Sequence, residues 1–549
     1  MKRCFAFSMS LAMFPFHYPF FILERLTDSD SISKGGGEEG CMKRTLLVVL
    51  MVLAAFAAFA SVGFVFNVKP YLTFDNSPAG VASDAGSLKW NNEAAGGEGQ
   101  VNPDWWETKQ DYFNRAFEKP GFLDVGLVVD TDKVGMVFLL DIRQDTFQHF
   151  KDDGKILTNI PFVGAIVDLN FPRVGYVDYT SGDGSFYASV GRRQIKWGPS
   201  TYDMAIGDSQ PYLDNFYLSY ETSVGGGWLF EYDFLGIAYK LFMNYDNDVK
   251  GGPKSTFAHR FSFASDFMRV SVAELNNIYG KEPSLLDFTP FGIWHDNYQD
   301  NYSNVMLNLA LEGVVGPVRI YGTFTMDDFD LSHELDSDGW SGKPQAMGFT
   351  AGVELHVLDG EAVASSKFEY TDYALRDETF KKPGLNVAYE FYYCSTFMYN
   401  RDKNAGKFTV PFQFISLTGA GYCFDDNAFY LGFKYGPDTL VHRLSVEYDA
   451  NPLSTFASAE LMMRGSYTID SEYGNKDYYK SHGLATMKLT APVVAVLKLE
   501  AGASYNVQRG LKAGASLGFT RDITHGTNAF SATVGASIAV MEVDWSALF

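Results

Sequence analysis

The final strand-like segment constrains the fold of this chain most. Counting back by twos from Phe549 gives Ala547, Trp545, Val543 and Met541, all apolar, with Ser546, Asp544 and Glu542 between them. A period of two is that of a β-strand with one apolar and one polar face. Termini of soluble domains usually fray into water, so an apolar face running to a terminal aromatic needs a cover. The second sheet of a soluble sandwich is one such cover. Lipid around a closed barrel, whose last strand pairs with its first, is the other.

Composition favours the barrel. Phe and Tyr number 47 and 32, Gly numbers 52, and mean hydropathy is only −0.09. A membrane barrel has this balance, because half of each strand faces a polar lumen and aromatics gather at the two interfaces. Helical membrane proteins are far more apolar. Net charge is −22. Such acidity excludes a nucleic-acid partner, whose phosphates require a basic surface, and suits acidic loops and an acidic lumen.

The N-terminal region reads as export machinery. Lys43 and Arg44 precede the apolar run from Leu46 to Phe59, and Ala58-Phe59-Ala60 is a small-x-small cleavage site. The run is shorter than the roughly 18–20 residues that span a bilayer. Residues 42–60 are therefore expected to be a signal peptide with Ser61 as mature start. Residues 1–41 are read as a mis-assigned extension, with Met42 as the true start. Removing 1–60 leaves Cys394 and Cys423. Two cysteines permit one bridge in an exported protein but form no scaffold or zinc pattern.

Residues 61–120 are expected to be a periplasmic lead-in, although Asn67–Phe74 can equally be a first strand. Within it, Asn102-Pro103-Asp104 has the form of a helix start, followed by Trp105, Tyr112 and Phe113 near one face and Pro120-Gly121 as a stop. Such a helix can plug a barrel or pack on its rim. From 121 to 549 the pattern is strand, turn, strand. Gly121–Asp130 and Val134–Arg143 flank Thr131-Asp132-Lys133. Ser185–Arg193 follows a Ser-Gly-Asp-Gly turn. Gly227–Phe234 and Ile237–Tyr245 are expected to join at Leu235-Gly236, and Gly348–Val357 and Glu361–Tyr370 at Leu358-Asp359-Gly360. Ala485–Leu489, Val494–Tyr505, Leu511–Thr520 and Ala529–Val540 follow. Longer polar-aromatic connections, 195–213 and 395–408 among them, alternate irregularly with the short turns. The expected fold is an all-β transmembrane antiparallel barrel of about 18 strands (16–22) with a short N-terminal helical segment.

The densest motif is Gly191-Arg192-Arg193-Gln194-Ile195-Lys196-Trp197-Gly198-Pro199, followed by Gly207-Asp208-Ser209-Gln210-Pro211-Tyr212-Leu213-Asp214. Arg192 or Arg193, whichever points inward, offers a fixed donor fork to carboxylates or hydroxyls. Trp197 offers an apolar face to a sugar ring. Asp208 and Asp214 can accept hydroxyl hydrogen bonds, or can pair with the arginine and only brace the lumen. Residues 290–302 mix Trp294 and other aromatics with Asn297, Asp and Gln, which suits either carbohydrate or a membrane-interface girdle. Arg192, Arg193, Trp197, Asp208, Asp214, Trp294 and Asn297 are the candidate ligand-binding residues.

The Gly-Arg, Trp-Gly-Pro, Asp208-Ser209, Pro211 and Asp214 positions resemble, in order, those of the Wzi-like capsule-assembly outer-membrane family. The match covers about 25 residues, and its first half also resembles a porin motif. Arg193-Gln194-Ile195 departs from the family pattern. The resemblance implies a monomeric barrel of about 18 strands, occluded by loops and an N-terminal plug, that binds surface polysaccharide like a lectin.

Enzyme signatures are missing: there is no Gly-x-Ser-x-Gly elbow and no helical His pair. Glu334 to Gly339 begins like a calcium loop, but Gln345 stands where its closing Glu belongs. The chain is therefore expected to be non-enzymatic, without cofactor or metal, in the bacterial outer membrane. Its expected partners are the bilayer, lipopolysaccharide or an equivalent glycan, and the barrel-assembly machinery through Phe549. A porin with an acidic lumen and a structural or adhesive barrel are the alternatives.

Overall fold

The computed structural model of the protein describes residues 61–77, 106–142, 156–160, 172–239, 253–289, 292–294, 302–328, 345–360, 373–402, 404–415, 422–473, 487–508 and 510–544. Eighteen antiparallel strands close on themselves. Strand β1 is Ser61–Val68 continued by Tyr71–Asp75, interrupted at Lys69-Pro70, where proline lacks the ladder N–H. The others are β2 Leu123–Asp130, β3 Val134–Ile142, β4 Val174–Thr180, β5 Phe186–Arg193, β6 Leu213–Gly225, β7 Trp228–Ala238, β8 Lys254–Ala264 and β9 Met268–Tyr279. Then come β10 Ser303–Val315, β11 Val318–Asp328, β12 Ala346–Asp359, β13 Gly384–Cys394, β14 Thr439–Ala450, β15 Leu453–Arg464, β16 Val494–Gln508, β17 Leu511–Asp522 and β18 Thr527–Asp544. Each pairs with the next, and β1 closes the ring on β18 from Gly63 opposite Asp544 to Tyr71 opposite Gly535 and beyond.

Closure answers the question the C-terminal alternation raises: no strand edge is left to meet lipid. The outward positions carry exposed apolar side chains, among them Val190, Leu218, Val272, Ile320, Leu517 and Val534. A belt of this kind around a closed sheet is stable only when lipid replaces water outside it, which places the barrel in the bacterial outer membrane. Of the connections at the end that holds the start of β1 and the end of β18, seven are two to five residues long. Short turns mark the periplasmic side of such barrels. The eighth connection there, 360–383, is long, and its described part, residues 373–383, turns inward.

Four expectations are corrected. The barrel begins at Ser61 rather than 121, so residues 61–75 are wall and not lead-in. The helix, α1 (Lys109–Phe117), lies in the β1–β2 connection rather than ahead of the barrel. It is capped by Thr108, whose Oγ1 accepts from the Asp111 amide while Asp111 accepts from the Thr108 amide, a capping box. Asn102, the expected cap, lies outside the described residues. Leu235-Gly236 is not a turn: both residues sit inside β7, and the Phe216 ring of β6 occupies the space where a Gly236 side chain would stand. That glycine serves close packing across strands. Glu361–Tyr370 lies outside the described residues, and β12 pairs instead with β13. The described part of Ala485–Leu489 is not strand. Cys394 is a buried free thiol.

The lipid face yields a prediction. Leu517→Arg, at an outward position of β17, should cost about 2–4 kcal/mol of folding free energy in vesicles if it lies near the bilayer midplane. Ser516→Arg, facing the lumen one residue away, should cost much less. Equal costs by urea titration would contradict the assigned faces.

Candidate functional site

The motif loop between β5 and β6, residues 194–212, folds into the bore and closes on itself. The Trp197 amide donates to Ile206 O at 3.0 Å, and Gln194 Nε2 donates to the carbonyls of Asp208 and Gln210 at 3.0 and 2.8 Å. Gly198 adopts φ of +113°, and a side chain there would collide with the Asp203 carboxylate. Only glycine makes this corner without strain. The centre of the loop is apolar: Ile195, Met204, Ala205 and Ile206 are buried with Tyr399, Phe408, Phe429 and Phe433 of the β13–β14 connection. The bore therefore contains a packed core at the level of this loop.

Paired charges on the inner wall hold the loop. Glu390 of β13 accepts from the Thr201 amide at 2.8 Å and pairs with Arg443 of β14 at 3.0 Å. Arg319 of β11 pairs with Glu312 at 2.5 Å and donates to Pro199 O at 2.9 Å. Tyr202 donates to Glu460 of β15 at 3.0 Å, and Glu460 also accepts from Tyr435. Ser200 bonds Thr350 of β12 at 2.7 Å. Behind the loop, Asp111 of α1 is bidentate to Arg464, at 2.6 and 3.1 Å. Burial pushes the Asp111 carboxyl up, but Arg464 outweighs it and holds the group below the ordinary range.

A second segment enters from the periplasmic side. Leu375-Arg376, in the β12–β13 connection, pairs in parallel with Ile195-Lys196. Asp377 accepts from the Gly198 amide at 2.8 Å and from Arg260 of β8 at 2.6 Å; Arg260 also holds Asp233 at 2.7 Å and lies 4.6 Å over the Trp197 ring. Arg269 donates to Glu378 O, and the Phe380 amide donates to Glu312. This strap ties the motif loop from below. Burial raises the Asp377 carboxyl, yet Arg260 and its hydrogen bond overcome this and set it below the usual range.

The sequence candidates separate. Arg193 is the inward arginine: it donates to Ser189 at 2.5 Å and Tyr187 at 3.0 Å and lies over Tyr176, so it braces the wall. Arg192 shares the outer face with exposed Val190, bidentate to Asp214 at 2.6 and 2.8 Å and over Tyr212. Trp197 is 4% exposed under Arg260 and presents no free face to a sugar. Trp294 is 1% exposed and stacked on His259 at 4.4 Å, in a cluster with Phe234 and Phe257 on the outer side of β7–β9. Asp208 pairs with Arg376 at 3.0 Å inside the bore. Asn297 lies outside the described residues. Tyr202, Asp203, Ser209 and the strap were not among the candidates. Ser209 stands within the motif, while Tyr202 and Asp203 lie between its two halves; the strap carries no sequence signal.

Asp203 is the unusual group of the loop. It is 1% exposed, and neither carboxylate oxygen has a hydrogen-bond partner. Burial, with Asp377 and Asp208 nearby and Lys196 only partly offsetting it at 3.6 Å, holds its carboxyl well above the ordinary carboxylate range. No cluster among the described residues has the donor set of a metal site.

No family model and no curated protein matches the chain. Among solved structures it is similar to Wzi, an outer-membrane protein involved in group 1 capsule assembly in Escherichia coli, described as a carbohydrate-binding β-barrel. The identity is 13% over 92% of this chain and 90% of that one, with a TM-score of 0.45. It is also similar to OccD3 of Pseudomonas aeruginosa (10% identity, 88% and 92% covered, TM-score 0.37) and to the outer-membrane channel DcaP of Acinetobacter baumannii (10%, 88% and 97%, 0.34).

The strap yields the second prediction. A spin label at Ala374→Cys should be immobile from pH 8 to 5. A depressed carboxyl contributes stability above its unfolded pKa of about 3.9 and loses it as pH falls further. Mobility should therefore rise only below about pH 4. Adding Asp377→Ala, which removes hydrogen bonds to a charged group worth about 1.5–3 kcal/mol, should mobilise the label at every pH. A label that loosens between pH 7 and 6 would contradict this assignment.

Proposed function

We propose that the protein is a non-enzymatic, occluded outer-membrane barrel that binds surface polysaccharide. The observation that carries this reading is the filled bore. A diffusive porin needs a continuous aqueous path. Here the motif loop is buried in an apolar core and clamped by arginine–carboxylate pairs on six strands. A wall that only braces a plug leaves ligand contact to the loops and to the clefts around the plug. The extracellular connections mix aromatics with Asn, Asp and Gln, as in 290–302. That mix suits hydroxyl-rich ligands, since rings cover apolar sugar faces and amides bond hydroxyls.

One observation favours a second reading, a substrate-selective channel. A cavity of about 500 Å³ opens beside β14–β17, lined by Arg443, Glu447, Ser454, Phe456, Ser504 and Lys512. The inward positions near it on β16 and β17 are small: Gly502, Gly514, Ser516 and Gly518. Water can stand along this part of the wall.

The test is retention of polysaccharide extracted from the surface of the source bacterium by immobilised, detergent-folded 61–549 chain. Retention that dextran of the same size does not reproduce is the expected result. Equal passage of both polymers, with no retention, would remove the glycan-binding reading.

A further inference from the structure

The β9–β10 connection lies at the extracellular end, opposite the short turns, and its described part folds down the outer wall of the barrel. Arg260 and Asp233 point into the bore, so by alternation His259 and its cross-strand partner Glu274 point outward, as do Phe216, Phe234 and Phe257. His259 Nε2 lies 3.3 Å from a Glu274 carboxylate oxygen. Trp294 closes over this pair: its amide donates to Glu274 Oε2 at 2.9 Å, and its ring stacks on His259 at 4.4 Å. Phe288 lies against Phe257 and Phe216, with ring centroids 4.7 and 6.0 Å apart.

The height of this patch is fixed by the strands. The apolar belt begins at the periplasmic turns, where Val224, Phe267 and Val315 are exposed. His259 stands five positions from the periplasmic end of β8 at Ala264, or ~13 Å along the membrane normal for a strand tilted by ~40°. The belt of such a barrel is about 25 Å tall. The pair therefore stands near the middle of the belt, where an ionisable group facing lipid is costly. Under the loop, both His259 and Glu274 are buried.

The loop is built inside out relative to a solvated one. Asp287 is fully buried, and its carboxylate accepts from the Ser284 amide and hydroxyl at 2.6 and 2.9 Å. Leu285 is 90% exposed, and Leu286, Phe288 and Ile293 are exposed as well. The amides of Asp287, Phe288, Thr289 and Gly292 donate to the carbonyls of Ser284, Leu285, Leu286 and Thr289, so the turn satisfies them itself. An acid turned in, leucines turned out and amides paired within the turn suit lipid, where no water can serve them. The exposed side chains continue the belt that Leu218 and Val272 form on the neighbouring strands.

We propose that this loop is a membrane-inserted element: Leu285, Leu286 and Ile293 contact the acyl chains of the outer leaflet, and the loop seals the His259–Glu274 pair from lipid. The proposal holds equally for a glycan-binding barrel and for a channel. Within the stretch 290–302, Ile293 and Trp294 then serve the membrane side.

Nitroxide labels at Leu285→Cys and Ile293→Cys test it in the folded 61–549 chain, reconstituted in dioleoylphosphatidylcholine vesicles. Collision with oxygen, which concentrates in lipid, is compared with collision with a water-soluble nickel chelate. Leu517→Cys on the lipid face and Lys512→Cys in the lumen are the references. Unaltered chain taken through the same labelling gives the contribution of Cys394 and Cys423. The oxygen-to-chelate ratio at both loop positions should match that of the 517 label and exceed that of the 512 label at least fivefold. Chelate-dominated collision at either loop position would place the loop in water and overturn the proposal. Low collision with both reagents would mean a protein cover, such as a second barrel, and would overturn it too. Every variant should keep the heat-modifiable mobility of a folded barrel, and Leu286→Cys replaces a loop variant that fails to fold.

Discussion

The structure depends on arginine–carboxylate pairs buried inside a barrel wall. Taking such charges out of water is expensive, and the cost is met only when geometry is good and the remaining donors and acceptors are filled. Here the filling groups are mostly backbone atoms of the motif loop and the strap. Glu390 takes the Thr201 amide, Arg319 takes Pro199 O, and Asp377 takes the Gly198 amide while Arg260 binds it. Wall and plug therefore need each other. Without the loop, the inner charges lose part of their coordination; without the charges, the loop's polar backbone has no partners in a dry core.

Much of the wall was legible in the sequence. Alternation and Gly- or Asp-containing turns located β2–β3 and β16–β18 closely, because one face of each strand meets lipid and register is then strongly specified. Misreadings occurred where that signal weakens. Gly236 looks like a turn residue, but it leaves room for a neighbouring ring. Asn67–Phe74 can be read as a first strand or a lead-in, because Lys69-Pro70 breaks it and its pairing with β18 is long-range. Helix α1 was foreseen as to existence but not position, since its cap is set by Thr108 and Asp111 rather than by the Asn-Pro-Asp that precedes it.

The candidate site was less legible. The residues of the motif Gly191–Pro199 and Gly207–Asp214 divide among four tasks. Arg193 braces the wall, Arg192 and Asp214 pair on the outer face, Trp197 packs under a guanidinium, and Asp208 meets the strap. A tryptophan in a core and one in a binding cleft have the same one-letter code. The difference lies in Arg260 and Asp377, residues 62 and 179 positions on from Gly198.

The central claim is that the bore is filled by a fixed plug. Single-channel recording of the 61–549 chain in a planar bilayer tests it most directly. The account predicts inserted, heat-modifiable barrels that pass no steady open-pore current, with current steps appearing when Arg260 and Arg319 are both replaced by alanine and the loop loses its clamps. Large, steady open steps from the unaltered chain would contradict it.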